Sequence, residues 1–297
     1  TDHGLLMGEH DWWAKVVTPF FQEIAHIPFW AYDPRDPKEV NKKSDALAQT
    51  IDLGPTILDY FDIPLTEDMQ GKAIFDFIED DKEIRKASLY GVMGGQVNVT
   101  DGQYVYMRAT TTEDNKPLFD YTLMPTHMKN RFSPRELQEW EKVEGFSFMK
   151  GCKVMQIPTR SFPIFSAKDN PLGRGRTATL LFDVKNDPGQ TKPLNDVNIE
   201  KRMIELMIRE MARNECPSEQ YIRLGLPEPK RLGKGHGDEM IQMPSDQEIE
   251  ESCVLDKAQG IEAADHGAEG FPKMPFKDIF WEGEKTLRST VFPDNLK

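Results

Sequence analysis

Between Ala87 and Arg108 the hydrophobic period is two: Val97, Val99, Tyr104 and Tyr106 alternate around Thr100-Asp101-Gly102-Gln103. Strand side chains point alternately to opposite faces, and an Asp-Gly pair between two such runs supplies the positive φ of a tight hairpin. The middle of the chain is therefore committed to antiparallel sheet. A further strand is expected at 178–183, closed by the turn Asn186-Asp187-Pro188-Gly189. The period then lengthens to three and four: Ile199, Met203, Leu206, Met207 and Met211 form a stripe on a helix from Val197 to Arg213, capped by Asn195 or Asp196. Its Ile199, Met203, Met207 face should pack on the sheet, with Arg202 and Arg209 outward. The methionines are core packing and not a cofactor box.

Elsewhere the pattern is more broken. Residues 24–32 are rich in aromatic and β-branched side chains and read as the end of a helix followed by a buried strand. Asp33-Pro34-Arg35-Asp36-Pro37 ends that regularity. Gly54-Pro55 opens a short helix, with Pro55 at its first position and Ile57, Leu58 and Phe61 as its apolar face. Ser133-Pro134 opens another, to Val143. Residues 227–247 are polar and rich in Gly and Pro, as in a linker or extended arm. Residues 271–292 regain aromatics and are expected to dock.

Composition bounds the partners. Net charge is −13 over 297 residues, which disfavours a nucleic-acid backbone or an anionic membrane surface. No run approaches the roughly 20 apolar residues of a membrane span. Cys152, Cys216 and Cys253 lie far apart with no Cys-x-x-Cys spacing, so a zinc site is not indicated and buried free thiols are expected. Nothing in the sequence sets the oligomeric state.

The chemistry concentrates at the N-terminus. Asp2-His3-Gly4 places a carboxylate beside an imidazole, and the two can face one cation only where the chain bends, as Gly4 permits. Gly8-Glu9-His10 and Trp12-Trp13-Ala14-Lys15 follow. A lysine in such company can hold an anionic ester as a compact point charge; the alternative is a polar loop with a solvated lysine.

Thr1-Asp2-His3-Gly4, Met7-Gly8-Glu9-His10, Trp13-Ala14-Lys15 and Ile27-Pro28-Phe29 together resemble the mid-chain block of type I sulfatases. The resemblance continues through Ile51-Asp52-Leu53-Gly54-Pro55-Thr56, Gln70-Gly71-Lys72, the hairpin Thr100-Asp101-Gly102-Gln103-Tyr104, and Leu181-Phe182-Asp183-Val184 with Asn186-Asp187-Pro188-Gly189-Gln190, in order over residues 1–226. It implies an alkaline-phosphatase-like α/β fold with a smaller C-terminal antiparallel α+β subdomain. The expected division is 1–85 for the C-terminal part of the catalytic domain, 86–226 for the subdomain with a long insertion, and 227–297 for an extension.

The resemblance also implies a sulfuric ester hydrolase acting on a small-molecule or carbohydrate sulfate ester, with Ca²⁺ or another divalent cation held by oxygen-rich ligands. Asp2 and His3 match two metal ligands, Lys15 matches the lysine that contacts the sulfate ester, and His10 matches the histidine near the substrate. His127, in the insertion, is a further candidate for reaching a sugar, against the plainer reading of a packed or surface histidine. The family's nucleophile motif, Cys/Ser-x-Pro-x-Arg, whose Cys or Ser becomes formylglycine, occurs nowhere in the 297 residues; Ser161-Phe162-Pro163-Ile164-Phe165 lacks the arginine. The Asp-Asp ligand pair is expected upstream of Asp2, so the chain is expected to be a C-terminal fragment, inactive alone. A periplasmic or secreted location follows from the family. A phosphonate monoester or phosphodiester hydrolase of the same superfamily, and a non-catalytic partner-binding subunit, are the alternatives.

Overall fold

The computed structural model describes residues 1–11, 13–14, 19–35, 43–75, 82–112, 114–124, 126–127, 131–159, 178–233 and 240–255. Strands β1 (Leu6–Met7) and β2 (Trp13–Ala14) make a short antiparallel ladder, followed by helix α1 (Gln22–Ala25) and, further on, α2 (Leu53–Tyr60). The central sheet is built from β3 (Ser88–Gly91), β4 (Val97–Thr100) and β5 (Tyr104–Arg108). A smaller sheet carries β6 (Phe119–Thr122), β7 (Glu141–Val143) and β8 (Val154–Pro158) in the order β6-β8-β7. The chain then returns as β9 (Leu180–Asp183) to complete the central sheet, in the order β3-β4-β5-β9. After it come α3 (Val197–Arg213), α4 (Ser218–Leu224), the pair β10 (Lys230–Arg231) and β11 (Ile241–Gln242), and α5 (Asp246–Glu251). Every pairing among the described residues is antiparallel.

The hairpin forms where the alternation places it. Gly102 has φ 88°, and the Asp101 side chain accepts from the N–H groups of Gln103 (2.9 Å) and Tyr104 (2.7 Å). Val99, Tyr106 and Leu181 on one face of the sheet pack against Met203, Ile204, Met207, Ile208 and Met211 of α3. Ile199 and Leu206 lie at the margin of this core, while Ile204 and Ile208 lie inside it, so the helix buries a face turned slightly from the expected stripe. Asp196 caps α3, accepting from the N–H groups of Asn198 and Ile199. Arg202 stays outward, 2.6 Å from Asp101.

Charged groups are buried within this core only in partnership. Glu200 of α3, fully buried, accepts from Tyr106 Oη (2.9 Å) and from the N–H groups of Val254 and Leu255 (3.0 and 3.1 Å). Arg108 donates to Tyr106 Oη, Leu224 O and Gly225 O. The opposite face of the sheet is also buried: Val105, Met107, Leu180 and Phe182 surround Phe21. That second buried face is what fastens the N-terminal segment to the sheet.

Several expectations give way. Residues 27–32 form no strand, and Trp30 is 85% exposed; among the described residues no ladder partner satisfies their backbone groups. In α2 the buried residues are Pro55 and Thr56, while Ile57 and Phe61 face outward. A polar anchor decides this orientation: Thr56 Oγ1 donates to Asp52 O and accepts from Ile74 N–H. Pro55 is the third helical residue, not the first. After Ser133 the chain makes turns and then pairs with β8 as β7, because a short helix over 134–143 is marginal without packing, whereas 141–143 find a ladder partner. The stretch expected to be linker-like folds back, and the segment after it buries Ile249 and Cys253 against α3. Cys152 is exposed, and only Cys253 is fully buried. The aromatic tail at 271–292 and Ser161 lie outside the described residues.

Candidate functional site

Gly4 is wedged against α1. Its N–H donates to Ile24 O at 3.0 Å, and a Cβ built on it would stand 1.7 Å from Glu23 O, so only glycine fits. Just before it, His3 Nδ1 lies 2.9 Å from Gly4 O and His3 Nε2 lies 3.5 Å from Asp2 Oδ2. This pair faces outward, with side chains 36% and 86% exposed. Leu6 is buried, and the register Leu6↔Ala14, Met7↔Trp13 closes a tight turn over Gly8 (φ 124°) and His10 (φ 52°).

The turn throws His10 back onto the segment that holds Gly4. Its ring stacks on Phe21 with centroids 3.6 Å apart and planes 9° from parallel. Its Nε2 lies 3.6 Å from Glu23 Oε2, and neither atom has a hydrogen-bond partner although both are buried. Phe21 meets Phe182 of β9 edge-on at 6.2 Å, and Gln22 N–H donates to Gln190 Oε1 at 2.7 Å. Glu23 thus touches Gly4 through its backbone and His10 through its side chain. Burial lowers the His10 pKa below its usual value, while Glu23, Glu9 and Asp187 pull it back up.

A second cluster explains the Asp-Leu-Gly-Pro-Thr segment. Asp52 is fully buried and takes a two-pronged contact from Arg85 (2.7 and 2.6 Å), plus the N–H groups of Gln49 and Lys72. A Cβ at Gly71 would stand 2.1 Å from Ile51 O, so the chain at 71–72 can approach Asp52 only as glycine. Burial pushes the Asp52 pKa up, but the Arg85 guanidinium and the backbone donors hold it below its usual value. This cluster is structural: both carboxylate oxygens of Asp52 are taken by donors of the chain, and Arg85 also donates to Leu47 O.

The structure pairs His3 with Asp2 and, separately, sets His10 against Glu23, whose backbone carries Gly4. Lys15 lies outside the described residues. His127 is engaged elsewhere, with Nε2 2.7 Å from Glu136 Oε1 and its ring edge-on to Phe132 at 4.5 Å. Asn98-Val99-Thr100 has the form of a glycosylation sequon, but Asn98 is buried in β4. Among the described residues no three His, Cys, Asp or Glu side chains group as a metal site. The residues that sequence reasoning passed over are Phe21, Glu23 and Gln190. A carboxylate two residues after an aromatic pair was the available signal, and it says nothing of a partner 13 positions away.

The sequence of the chain is similar to that of sulfatase C-terminal regions. Residues 8–144 match the family described as "N-sulphoglucosamine sulphohydrolase, C-terminal". Among curated relatives, the chain is 29% identical over 93 residues to an arylsulfatase of Clostridium perfringens, covering 31% of this chain and 19% of that protein. It is 23% identical over 208 residues to an ulvan-active sulfatase of Formosa agariphila, covering 65% of this chain and 39% of the relative. It is 28% identical over 94 residues to an N-acetylglucosamine-6-O-sulfatase of Bacteroides thetaiotaomicron, covering 30% and 16%. By these matches the chain is similar to the C-terminal region of type I sulfatases, a family of sulfuric ester hydrolases; in each case the match spans well under half of the relative's length.

Proposed function

We propose that this chain supplies one part of a sulfuric ester hydrolase site whose substrate is a carbohydrate sulfate. The observation that carries the reading is that Gly4 of Asp2-His3-Gly4 packs on the Glu23 backbone while His10 faces the Glu23 carboxylate, in a chain whose matches named above are sulfatases. Lys15 would hold the sulfate ester as a point charge, and His10 would stand near the leaving alcohol, where a proton is needed. The ulvan and N-acetylglucosamine-6-O-sulfatase relatives support a sugar as the alcohol. An alkaline-phosphatase-like α/β fold is the proposed setting for residues 1–85.

A divalent cation, Ca²⁺ by family habit, fits the Asp2 carboxylate in kind, but not the His3 imidazole and not the number of donors. Asp2 and His3 offer one carboxylate and one imidazole, whereas Ca²⁺ takes about six to eight oxygens. We assign them as two ligands of a shell completed by other residues of the whole enzyme. When bound, the ion would offset charge on the transferring group. The same logic applies to the nucleophile, since the formylglycine motif does not occur in these residues. The test is turnover of an aryl sulfate by the 297-residue chain with and without Ca²⁺. No turnover above the uncatalysed rate is expected, because only unactivated water remains to attack. Robust turnover that Lys15→Ala abolishes would contradict the reading.

A further inference from the structure

Two buried polar atoms face each other unbonded in the candidate site. His10 Nε2 and Glu23 Oε2 are 3.6 Å apart, their side chains are 12% and 25% exposed, and neither atom has any hydrogen-bond partner. Leaving such groups unpaired costs about 1–3 kcal/mol each, so the arrangement is stable only as a pair that closes on itself. The ring cannot rotate away from the carboxylate without losing its stack on Phe21, whose planes are 9° from parallel. The backbone of Glu23 cannot retreat, because Gly4 packs directly on its carbonyl and bonds to Ile24 O. The backbone of His10 is held in the left-handed region at φ 52°.

We propose that Glu23 is the positioning residue for His10: its carboxylate, facing Nε2 at 3.6 Å, favours the Nε2–H tautomer through charge and a small closing movement, and leaves Nδ1 as the nitrogen available to the substrate. The functional half of this inference rests on the sulfatase reading; the pairing itself does not. A carboxylate in this position supports the protonated imidazole against the burial that disfavours it. The other charged groups bearing on the ring are Glu9, on its own turn, and Asp187, in the turn after β9. Both are acidic, so Glu23 is the nearest of three charges acting in the same direction. The arrangement parallels the general case of a histidine whose second nitrogen is oriented by a carboxylate.

The test is nitrogen-detected NMR of the histidine rings in the ¹⁵N-labelled 297-residue chain, with His10→Asn used to assign the His10 signals. Neutral His10 is expected as the Nε2–H tautomer. In Glu23→Gln its titration midpoint should fall by about one pH unit or more, as befits loss of an opposite charge within a few ångströms, and Glu23→Asp should restore most of the difference. A native-like backbone spectrum for each variant separates this from unfolding. The Nδ1–H tautomer, or an unchanged midpoint in a folded Glu23→Gln, would overturn the inference. A titration with inorganic sulfate then separates the two layers. Movement of the Nδ1 signal supports the substrate-facing role. An unmoved Nδ1 alongside the expected tautomer and midpoint would uphold the pair and count against the sulfate-ester reading.

Discussion

Gly4 and Asp52 carry much of the N-terminal organisation. A methyl group at Gly4 would meet the Glu23 carbonyl at 1.7 Å, and both sides of that contact are backbone, so neither can yield by changing rotamer. Gly4→Ala should destabilise by about 1–3 kcal/mol or more, read as a lower urea midpoint. For Asp52, the folded pKa lies below its ordinary 3.8, so the unfolded chain binds the proton more readily. Its contribution is complete above the ordinary value and is lost as pH falls through the lower folded one. Asp52→Asn should therefore flatten the acid limb of stability against pH, whereas Arg85→Ala, which leaves a buried carboxylate unpaired, should cost about 3–5 kcal/mol near neutrality. Equal urea midpoints for Arg85→Ala and the parent would show that the pair is dispensable. The Asp-His-Gly triplet is legible in sequence because its residues are adjacent. The Asp52–Arg85 pair is not, because its members stand 33 positions apart and nothing local to either names the other.

Among the elements, α3 and the Asp101-Gly102 hairpin are the most legible, since each announces itself by period and by its own cap or turn residue. Met207 is fully buried between α3 and the sheet, and Met207→Ala should cost about 2–5 kcal/mol, measured by thermal or urea unfolding. A loss below 1 kcal/mol, the scale of an exposed ion pair such as Arg202–Asp101, would show that the face is misassigned. The elements misread are those whose fate depends on distant partners. Residues 27–32 have strand composition but no ladder among the described residues. The segment at 134–143 has a helix-opening Ser-Pro and even a reciprocal Ser133–Glu136 cap, yet only turns follow and the chain then pairs with β8. The polarity of residues 227–247 concealed a hairpin that returns the chain to α3, where the N–H groups of Val254 and Leu255 reach Glu200.

For the whole molecule, the central sheet is covered by α3 on one face and meets the site-bearing N-terminal segment through Phe21 and Phe182 on the other. No described helix is long and apolar enough to cross a membrane. The sheet thereby links a conventional core to an exposed Asp2–His3 pair, which by itself is too small a donor set for catalysis. In the function proposed above, these residues complete a sulfatase site together with a formylglycine-bearing segment. The most direct measurement is aryl sulfate turnover when such a segment, carrying the processed Cys/Ser-x-Pro-x-Arg motif and the Asp-Asp ligands, is supplied in trans to this chain. Turnover should appear only in the mixture, require Ca²⁺ or another divalent cation, and be lost by about 100-fold or more in Asp2→Ala and in Lys15→Ala, the scale of removing one charge-stabilising group. Turnover by the added segment alone at the rate of the mixture, or a mixture indifferent to both substitutions, would contradict the account.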